Sequence, residues 1–412
     1  MRAASGRSRR RFDEQYPPRH ASMTDTTSVA PSLSLTPGCT ADIAELIRDA
    51  CHTRTSLRIQ AGGSWLDAGN PVVGEPKTLD LRALSGIVEY NPGDLTLTAR
   101  AATSLAEIDA ATHAHGQWLP LDPRGSSTST LGATLATAST GPLASALGLP
   151  RDLALGLEFV DGRGVVARGG GRVVKNVAGF DLVRLMVGAW GTLGVITEVT
   201  VRLRARPEHE CTLVLEAPTT VAALASLLRT LREAPITAIA LELVDASLAA
   251  TVGATGGDAI LVRLAGNRAS LAAQRRLVES FSTARELAPA VWTTLQTADA
   301  PGAASVRLSQ SPSRLAELWH DVAVSTAQLV GSVRQASVER GIVRIVAPAS
   351  EADRLATLLP SLALRWNAIG ERLSPDGWRT LSATSPDRLS AGVRDAFDPM
   401  RVLNPGVLNP SP

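Results

Sequence analysis

The first half of the chain alternates segments with two different spacings of apolar residues. Thr40 can cap a helix, and Ile43, Leu46 and Ile47 after it are spaced to share one face, which predicts an amphipathic helix. Residues 56–60 and 195–203 place apolar side chains at every second position, which is typical of half-buried strands. Because helices and strands follow one another in mixed order, the predicted fold class is α+β.

Turn and cap signals extend this pattern. Residues 86–90 and 95–100 predict two strands on either side of an Asn-Pro-Gly-Asp turn. Ser104 and Glu107 have the spacing of a capping box, which predicts a helix that runs to Gly116.

The second half of the chain continues with both kinds of element. Residues 221–234 and 270–282 predict helices, and residues 238–244 and 259–266 predict strands. At 412 residues the chain is long enough for two domains. A second α+β region is therefore expected after the first.

Charge and composition exclude several classes of function. The net charge of +2 leaves no basic footprint for nucleic acid. No stretch reaches the roughly 18 consecutive apolar residues of a membrane span. Cys39, Cys51 and Cys211 form no C-x-x-C pair, so any iron–sulfur cluster is expected on a partner chain. We expect a cytoplasmic protein that reaches the inner face of the cell membrane only as a peripheral member of a complex.

The N-terminal segment is expected to lie outside the fold. Residues 1–32 are rich in arginine and then polar, and no apolar segment follows SRRRF as an export signal would require. We expect either a disordered extension or an upstream addition to a chain that starts at Met23.

One glycine pattern matches a nucleotide-binding fingerprint without its context. Gly162, Gly164 and Ala167 fit G-x-G-x-x-A, which binds dinucleotides only between a strand and a helix. Here the following β-branched residues predict the return strand of a hairpin. No G-x-x-x-x-G-K-[ST] motif occurs either, which removes the main support for nucleotide triphosphate hydrolysis.

Three loops of glycine and other small residues remain, at residues 61–64, 130–142 and 187–194. Each could be an ordinary tight turn. Free backbone N–H groups in such loops also suit a pyrophosphate, and missing side chains let a long cofactor lie against the main chain. Three such loops in succession favour a bound dinucleotide outside a Rossmann pocket.

At this point the motifs carry a resemblance to a known family. They are IQAGGSW, LPLDP, TLGATLATASTGP, GLPRDLALGLEFVDGRGVVARGG, VVKNVAGFDLVRLMVGAWGTLGVITEVTVRL and FDPMRVLNPG. Together they resemble the vanillyl-alcohol-oxidase/PCMH flavoprotein family and, within it, the E-type subunits of bacterial glycolate oxidase (glycolate dehydrogenase). The resemblance is dense over residues 35–206, returns at residues 395–406 and is faint between them.

The resemblance implies a fold and a cofactor. It implies a PCMH-type FAD-binding domain of two α+β subdomains at residues 33–206. A smaller α+β cap domain would follow at residues 207–412, with its segment 395–406 returning to the flavin. The cofactor would be FAD, bound noncovalently, because relatives that tether FAD commonly carry a histidine where this chain has Ser64 or its neighbours.

The resemblance also assigns the FAD contacts residue by residue. The glycine loop would hold the pyrophosphate, the start of the strand near residue 195 would lie beside the adenine, and the C-terminal asparagine would approach the flavin ring. The assigned residues are Ala61, Gly62, Gly63, Ser64, Pro120, Leu121, Asp122, Gly132, Ala133, Thr137, Ser139, Gly191, Gly194, Ile196 and Asn404.

Catalytic residues stay unassigned, and no metal site is predicted. Oxidation of a 2-hydroxy acid needs a base for the hydroxyl proton and a cation for the carboxylate. Related enzymes carry a G-H-x-G-D-G-N-like segment, and none of the six histidines here lies in one. Arg307 and Arg344 could bind a carboxylate or could be solvated strand residues.

Three hypotheses follow. In the first, the chain is the FAD-binding subunit of a glycolate-oxidising complex and works with a sibling FAD-linked catalytic subunit and an iron–sulfur subunit. In the second, it is a self-sufficient FAD-dependent oxidoreductase of a small 2-hydroxy acid or sugar acid. In the third, it is a scaffold subunit that keeps the fold without flavin.

Overall fold

The computed structural model describes residues 34–125, 128–171, 181–254, 256–381 and 388–408. The N-terminal extension expected at residues 1–32 and most of the VVKNVAGFDL motif lie outside these ranges.

The described part of residues 34–205 forms short strands and short helices. Its strands are β1 (Ser34–Leu35), β2 (Leu57–Gln60), β3 (Lys77–Asp80), β4 (Ile87–Asn91), β5 (Thr96–Arg100), β6 (Gln117–Trp118), β7 (Ala154–Asp161), β8 (Val166–Gly170), β9 (Gly194–Arg202) and β10 (Arg204–Ala205). Its helices are α1 (Thr40–Thr53), α2 (Leu105–His113), α3 (Leu131–Thr137), α4 (Ala144–Leu147), α5 (Pro150–Leu153) and α6 (Leu182–Met186).

These strands form a parallel and an antiparallel sheet that share a core. The parallel sheet has the order β1-β3-β2, and the antiparallel sheet has the order β4-β5-β9-β7-β8. Helix α1 buries Ile43 and Ile47 against the parallel sheet. Val160 of β7 and Val195 of β9 join the same apolar cluster, so burial of one continuous surface fixes the two sheets against each other.

The structure confirms some local predictions and corrects others. Strand β7 pairs antiparallel with β8, which confirms that Gly162 and Gly164 form a hairpin turn. Ser104 caps α2 as expected, but this helix ends at His113 rather than at Gly116. The prediction of a loop over residues 130–142 was wrong, because its central part is the helix α3.

The described part of residues 209–397 forms the second set of elements. Its strands are β11 (His209–Glu216), β12 (Ala238–Val244), β13 (Ala259–Gly266), β14 (Ala284–Leu287), β15 (Ala304–Ser309), β16 (Val333–Ser337), β17 (Ile342–Ala347) and β18 (Asn367–Arg372). Its helices are α7 (Val221–Glu233), α8 (Ala246–Thr251), α9 (Arg268–Phe281), α10 (Val291–Gln296), α11 (Leu315–Ser325), α12 (Ala352–Ala363), α13 (Pro375–Leu381) and α14 (Arg388–Phe397).

The second set is built on an eight-stranded antiparallel sheet with the order β14-β11-β13-β12-β16-β17-β15-β18. One face is apolar: Leu241, Val306 and Ile345 pack there with helices α7, α9, α11 and α12. Side chains alternate between faces along a strand. The neighbouring positions, including Glu242 and Arg344, therefore lie on the opposite face, and that face looks onto the site described below.

Candidate functional site

A narrow cavity of about 90 Å³ lies where β2, α3 and β9 converge, and we call it the glycine cleft. Most of the residues that the resemblance assigned to FAD line it. They are Ala61, Gly63, Ser64, Gly132, Ala133, Thr137, Gly191, Gly194, Ile196 and Asn404.

The loop after β2 presents free backbone donors at this cleft. The N–H groups of Gly62, Gly63 and Ser64 make no hydrogen bond to another residue that the structure describes. Gly63 has φ +79°, and the nearest atom to a Cβ placed on it would be Leu66 Cδ1 at 3.7 Å. The space beside this loop is therefore open, and the donors have the arrangement that a phosphate group binds.

The other cleft glycines are required by the protein's own packing. A Cβ on Gly132 would lie 2.6 Å from the Cβ of Ala101, so the missing side chain lets α3 approach the end of β5. A Cβ on Gly194 would lie 2.7 Å from Phe159 Cδ2. Packing alone therefore requires glycine at both positions, while their role beside a cofactor stays a prediction.

Asn404 connects three segments at the wall of the cleft. Its Oδ1 accepts a hydrogen bond from the N–H of Ile59 at 2.9 Å, and its Nδ2 donates to the carbonyl of Trp190 at 2.7 Å. The adjacent Leu403 forms a parallel bridge with Leu57, so the C-terminal segment extends the parallel sheet beyond β2. The C-terminal segment therefore lies at the wall of the cleft, and the amide of Asn404 supports that wall.

The remaining assigned residues lie near the cleft but do not line it. Pro120 is buried and Leu121 is half-buried beside the core under β9. Asp122 Oδ2 accepts a hydrogen bond from the N–H of Leu143 at 3.0 Å, and burial raises the pKa of Asp122 to about 6. Ser139 Oγ is buried without a hydrogen-bond partner among the described residues and faces a second cavity.

A second cavity, of about 280 Å³, shares the lining residues Trp65, Thr137 and Trp190 with the cleft, and we call it the arginine chamber. Its far wall is the polar face of the eight-stranded sheet. The wall carries Glu242, Arg307, Gln335, Arg344 and Glu371, while Arg124 and Arg340 enter from loops.

Backbone strain is concentrated around the two cavities. Ala138, Trp190 and Asn404 have φ between +40° and +53°, a region that residues with a Cβ rarely adopt. Ala138 lines the chamber, Asn404 lines the cleft and Trp190 lines both. Strain of this kind typically collects at functional sites, where the surrounding structure holds it in place.

Two of the chamber arginines form ion pairs with carboxylates. Arg344 is almost fully buried and bonds both oxygens of Asp299, at 2.7 and 2.6 Å, and Oε2 of Glu371 at 2.6 Å. Arg307 Nε lies 2.9 Å from the other oxygen of Glu371. Burial opposes ionisation of Glu371, but Arg344 and Arg307 lower its pKa further than burial raises it. These two arginines, the candidates from the sequence, are thus engaged in an internal ion-pair network.

The other two arginines have no such partner. Among the described residues, neither Arg124 nor Arg340 lies within ion-pair distance of a carboxylate. Arg124 donates to Oε1 of Gln335 at 2.6 Å and to the carbonyl of Leu295. Arg340 donates to the hydroxyl of Thr140 at 3.0 Å. Burial lowers the pKa of both guanidinium groups, and each is a cation available to an anionic ligand.

Glu242 is the carboxyl group that sequence reasoning missed. It is 1% exposed, its Oε2 accepts a hydrogen bond from Gln335 at 2.7 Å, and its Oε1 has no partner among the described residues. Burial raises the pKa of Glu242 to about 7, against the lowering effect of Arg124. The sequence did contain one sign of a buried carboxyl group, because the neighbours of this glutamate in β12, Leu241 and Leu243, are both apolar.

Neither a metal-binding cluster nor a membrane-spanning helix occurs among the described residues. No group of three or more His, Cys, Asp or Glu side chains could hold a metal ion. No helix among these residues is long and apolar enough to cross a membrane.

Comparison with known proteins agrees with this geometry. A family model described as an FAD binding domain matches residues 31–170. The glycolate oxidase subunit GlcE of Escherichia coli (strain K12) is 41% identical over 172 residues, which is 42% of this chain and 49% of that protein. The glycolate oxidase subunit GlcD of Bacillus subtilis (strain 168) is 31% identical over 184 residues, which is 45% of this chain and 39% of that protein.

The fold extends further than the sequence similarity. The structure of p-cresol methylhydroxylase with substrate bound has a TM-score of 0.69 at 14% identity, and the match covers 91% of this chain and 88% of that one. The PCMH-type α+β fold is therefore confirmed over most of the chain. In sequence, the chain spans about half the length or less of the curated relatives above.

The residues of the cleft fit the cofactor that these comparisons name. The free N–H groups of the loop after β2 suit the pyrophosphate of a dinucleotide. The buried hydroxyl of Ser139, which faces the arginine chamber, has no hydrogen-bond partner among the described residues, and a bound group could supply one. Residues 31–170 of this chain match an FAD binding domain, and FAD is the cofactor.

Proposed function

We propose that this chain is the FAD-binding subunit of a glycolate-oxidising dehydrogenase complex. In this proposal, electrons from a small 2-hydroxy acid pass through its flavin to an acceptor, and the partners are a sibling FAD-linked subunit and an iron–sulfur subunit. The observation that carries the proposal is the glycine cleft with its free N–H groups, within a domain that is 41% identical to GlcE over 172 residues.

The proposal gives each part of the cleft a role. The loop Ala61–Ser64 holds the pyrophosphate, and the start of β9 at Gly194 and Ile196 lies beside the adenine. Bound FAD supplies a two-electron oxidant. The chain's residues position it and exclude water from it.

Noncovalent attachment belongs to the same proposal. Among the described residues that line the cleft, no histidine, cysteine or tyrosine occurs, and these are the side chains that could form a covalent bond to the flavin. Acid precipitation of the purified protein should therefore release all of the flavin into the supernatant. Flavin that stays in the pellet would contradict noncovalent binding.

The proposal is tested on the purified chain, alone and in its native complex. The chain alone should be yellow, should contain about one FAD per polypeptide after extraction, and should gain thermal stability from FAD but not from riboflavin. The isolated complex should contain iron and should reduce a dye with glycolate. A colourless chain that FAD does not protect from heat would instead support the flavin-free scaffold.

A second candidate function is a self-sufficient oxidoreductase of a 2-hydroxy acid or sugar acid. The arginine chamber favours it, because the chamber places unpaired cations and a buried carboxyl group next to the cleft. Reduction of dye by the isolated flavin-loaded chain with glycolate would support this second function.

A further inference from the structure

We propose that the arginine chamber is a substrate site of this chain for a small 2-hydroxy acid. Arg340 and Arg124 bind the carboxylate of the acid, and Glu242 accepts its hydroxyl proton. This inference rests on the proposed function, which supplies the FAD. It goes beyond that function because it places a substrate site in this chain rather than in a sibling subunit.

The charges of the chamber favour an anion. Asp299 and Glu371 are both bound by Arg344, and Glu371 also lies against Arg307. Arg124 and Arg340 keep their positive charge without an acidic partner among the described residues. An anion that enters the chamber therefore meets cations whose attraction is not already satisfied.

Both arginines have donors left for a carboxylate. Arg124 is held by Gln335 and by the carbonyl of Leu295, and Arg340 is held by Thr140. Both line the same cavity and both have guanidinium donors left over, since each uses one nitrogen in these bonds. A guanidinium group offers planar donor pairs that match the two oxygens of a carboxylate.

The acid–base group of the chamber is Glu242. Its Oε1 lacks a hydrogen-bond partner among the described residues, although the side chain is 1% exposed. A buried acceptor without a partner is costly, and a ligand hydroxyl would satisfy it. The groups that act on Glu242 are Arg124, Arg340, Asp122 and Gln335, and they leave its pKa near neutral, in the range that suits a general base.

The size of the chamber limits the substrate. Its volume of about 280 Å³ lies just below the roughly 300–1,000 Å³ of sites for drug-sized ligands. A small acid fits this space.

The chemical step balances with the groups named. The hydroxyl proton of the 2-hydroxy acid passes to Glu242. The hydrogen on the carbon that bears the hydroxyl leaves with its electron pair. The FAD of the proposed function would accept it as the two-electron oxidant. The carbinol becomes a carbonyl, and the product is a 2-oxo acid held by the same arginines.

The test uses 2-hydroxyisobutyrate, which has the hydroxyl and carboxylate groups of the substrate. It has no hydrogen on the carbon that bears the hydroxyl, so it cannot be oxidised to a 2-oxo acid. Isothermal titration of the full chain at pH 7, with and without FAD, measures its affinity. Titration in two buffers of different ionisation enthalpy measures the protons taken up. We expect wild type to bind the acid more tightly than isobutyrate and to take up a fraction of a proton, because an anion beside Glu242 raises its pKa.

Variants separate the roles of the two groups. Arg340→Gln should weaken binding at least tenfold without loss of flavin, while the exposed control Arg275→Gln on α9 should bind like wild type. Glu242→Gln should still bind the acid but without proton uptake. With glycolate, Glu242→Gln should slow flavin bleaching by about 100-fold or more.

The possible outcomes distinguish this inference from the proposed function. Wild-type affinity in Arg340→Gln, or unchanged proton uptake in Glu242→Gln, would overturn the inference while FAD binding stands. Loss of flavin in Arg340→Gln would show that the chamber serves the cofactor, and this result would also overturn the inference. A chain that binds the acid but never FAD would refute the proposed function and keep the carboxylate site.

Discussion

The glycine cleft and the arginine chamber are neighbours, but they are built in different ways. The cleft is made of backbone and small side chains from contiguous motifs, such as the loop 61–64 and the start of β9. The chamber is made of dispersed polar side chains on β12, β15, β16 and β17, and three of them, Glu242, Arg307 and Arg344, are flanked in sequence by apolar residues. A backbone site is visible in a stretch of sequence, whereas a site of dispersed side chains depends on how strands pair.

The two regions also differ in how they use charge. The cleft is mostly apolar and presents N–H groups, while the chamber holds four arginines whose roles separate by their partners. Arg344 and Arg307 are neutralised by buried acids, and Arg124 and Arg340 are not. Arginines with and without a carboxylate partner can therefore line the same cavity, and the following predictions test that division.

The largest effect is expected at the ion-pair network. Arg344→Gln leaves Glu371 and Asp299 buried with less compensation, and we expect a loss of about 3–5 kcal/mol in the free energy of unfolding. Urea unfolding followed by tryptophan fluorescence measures it. Arg340→Gln should change stability by less than about 1 kcal/mol, because it breaks no ion pair. Equal losses in the two variants would contradict the division.

The next effect is a pH dependence caused by Glu242. Its pKa is 4.5 in a model peptide and about 7 in the fold, so the folded state keeps a proton that the unfolded state loses. Wild-type stability should therefore fall as the pH rises from about 4.5 to about 7 and should then level off. The variant Glu242→Gln has no carboxyl group to ionise at this position, so it does not lose stability in this way. Its stability relative to wild type should grow across the same window by roughly 3 kcal/mol, at about 1.4 kcal/mol per pKa unit. A difference that does not change with pH would refute the raised pKa.

A smaller effect is expected where glycine serves packing. Gly132→Ala places a methyl group 2.6 Å from the Cβ of Ala101, and we expect about 1–3 kcal/mol of destabilisation from the forced shift of α3. Gly392→Ala in α14 is the matched control, since its Cβ would meet no atom of the described residues within 4 Å. That variant should be neutral or up to about 1 kcal/mol more stable. Thermal unfolding of both proteins makes the comparison.

The smallest effect on stability, but a specific effect on binding, is expected at Gly63. Gly63→Ala and Gly74→Ala both put alanine at a positive φ, +79° and +83°, with open space around the methyl group. Each should lose about 1 kcal/mol of stability. Only Gly63→Ala should weaken FAD binding, measured by fluorescence titration of the apoprotein, because only Gly63 lines the cleft. Equal FAD affinity in the two variants would remove this loop from the cofactor site.

Much of the local structure followed from sequence, and the exceptions have physical causes. The helix at residues 40–53 and the strand β2 were predicted from the spacing of apolar residues. Helix α3 was mistaken for a loop because glycine disfavours helices, whereas here Gly132 is the residue that allows the helix to touch β5. Tertiary packing thus outweighed local propensity.

The candidate site was predictable in part for the same kind of reason. Ten of the assigned cofactor residues line the cleft, since they belong to motifs that are continuous in sequence. Glu242 and Arg340 were not predicted, because Glu242 is a single polar residue within an apolar strand and Arg340 lies in an ordinary turn between β16 and β17. Arg307 and Arg344 were recognised as candidates, but their acidic partners Asp299 and Glu371 come from distant parts of the chain.

The sequence alone determined the periodicity of the elements, the glycine loop after β2 and the family motifs that point to FAD. These are properties of neighbouring residues, and backbone sterics and side-chain spacing enforce them locally. Only the tertiary structure decided which arginines are paired and which carboxyl group is left without a partner. Coulomb attraction and desolvation depend on distances across strands, and those distances are set by the order and register of the eight-stranded sheet.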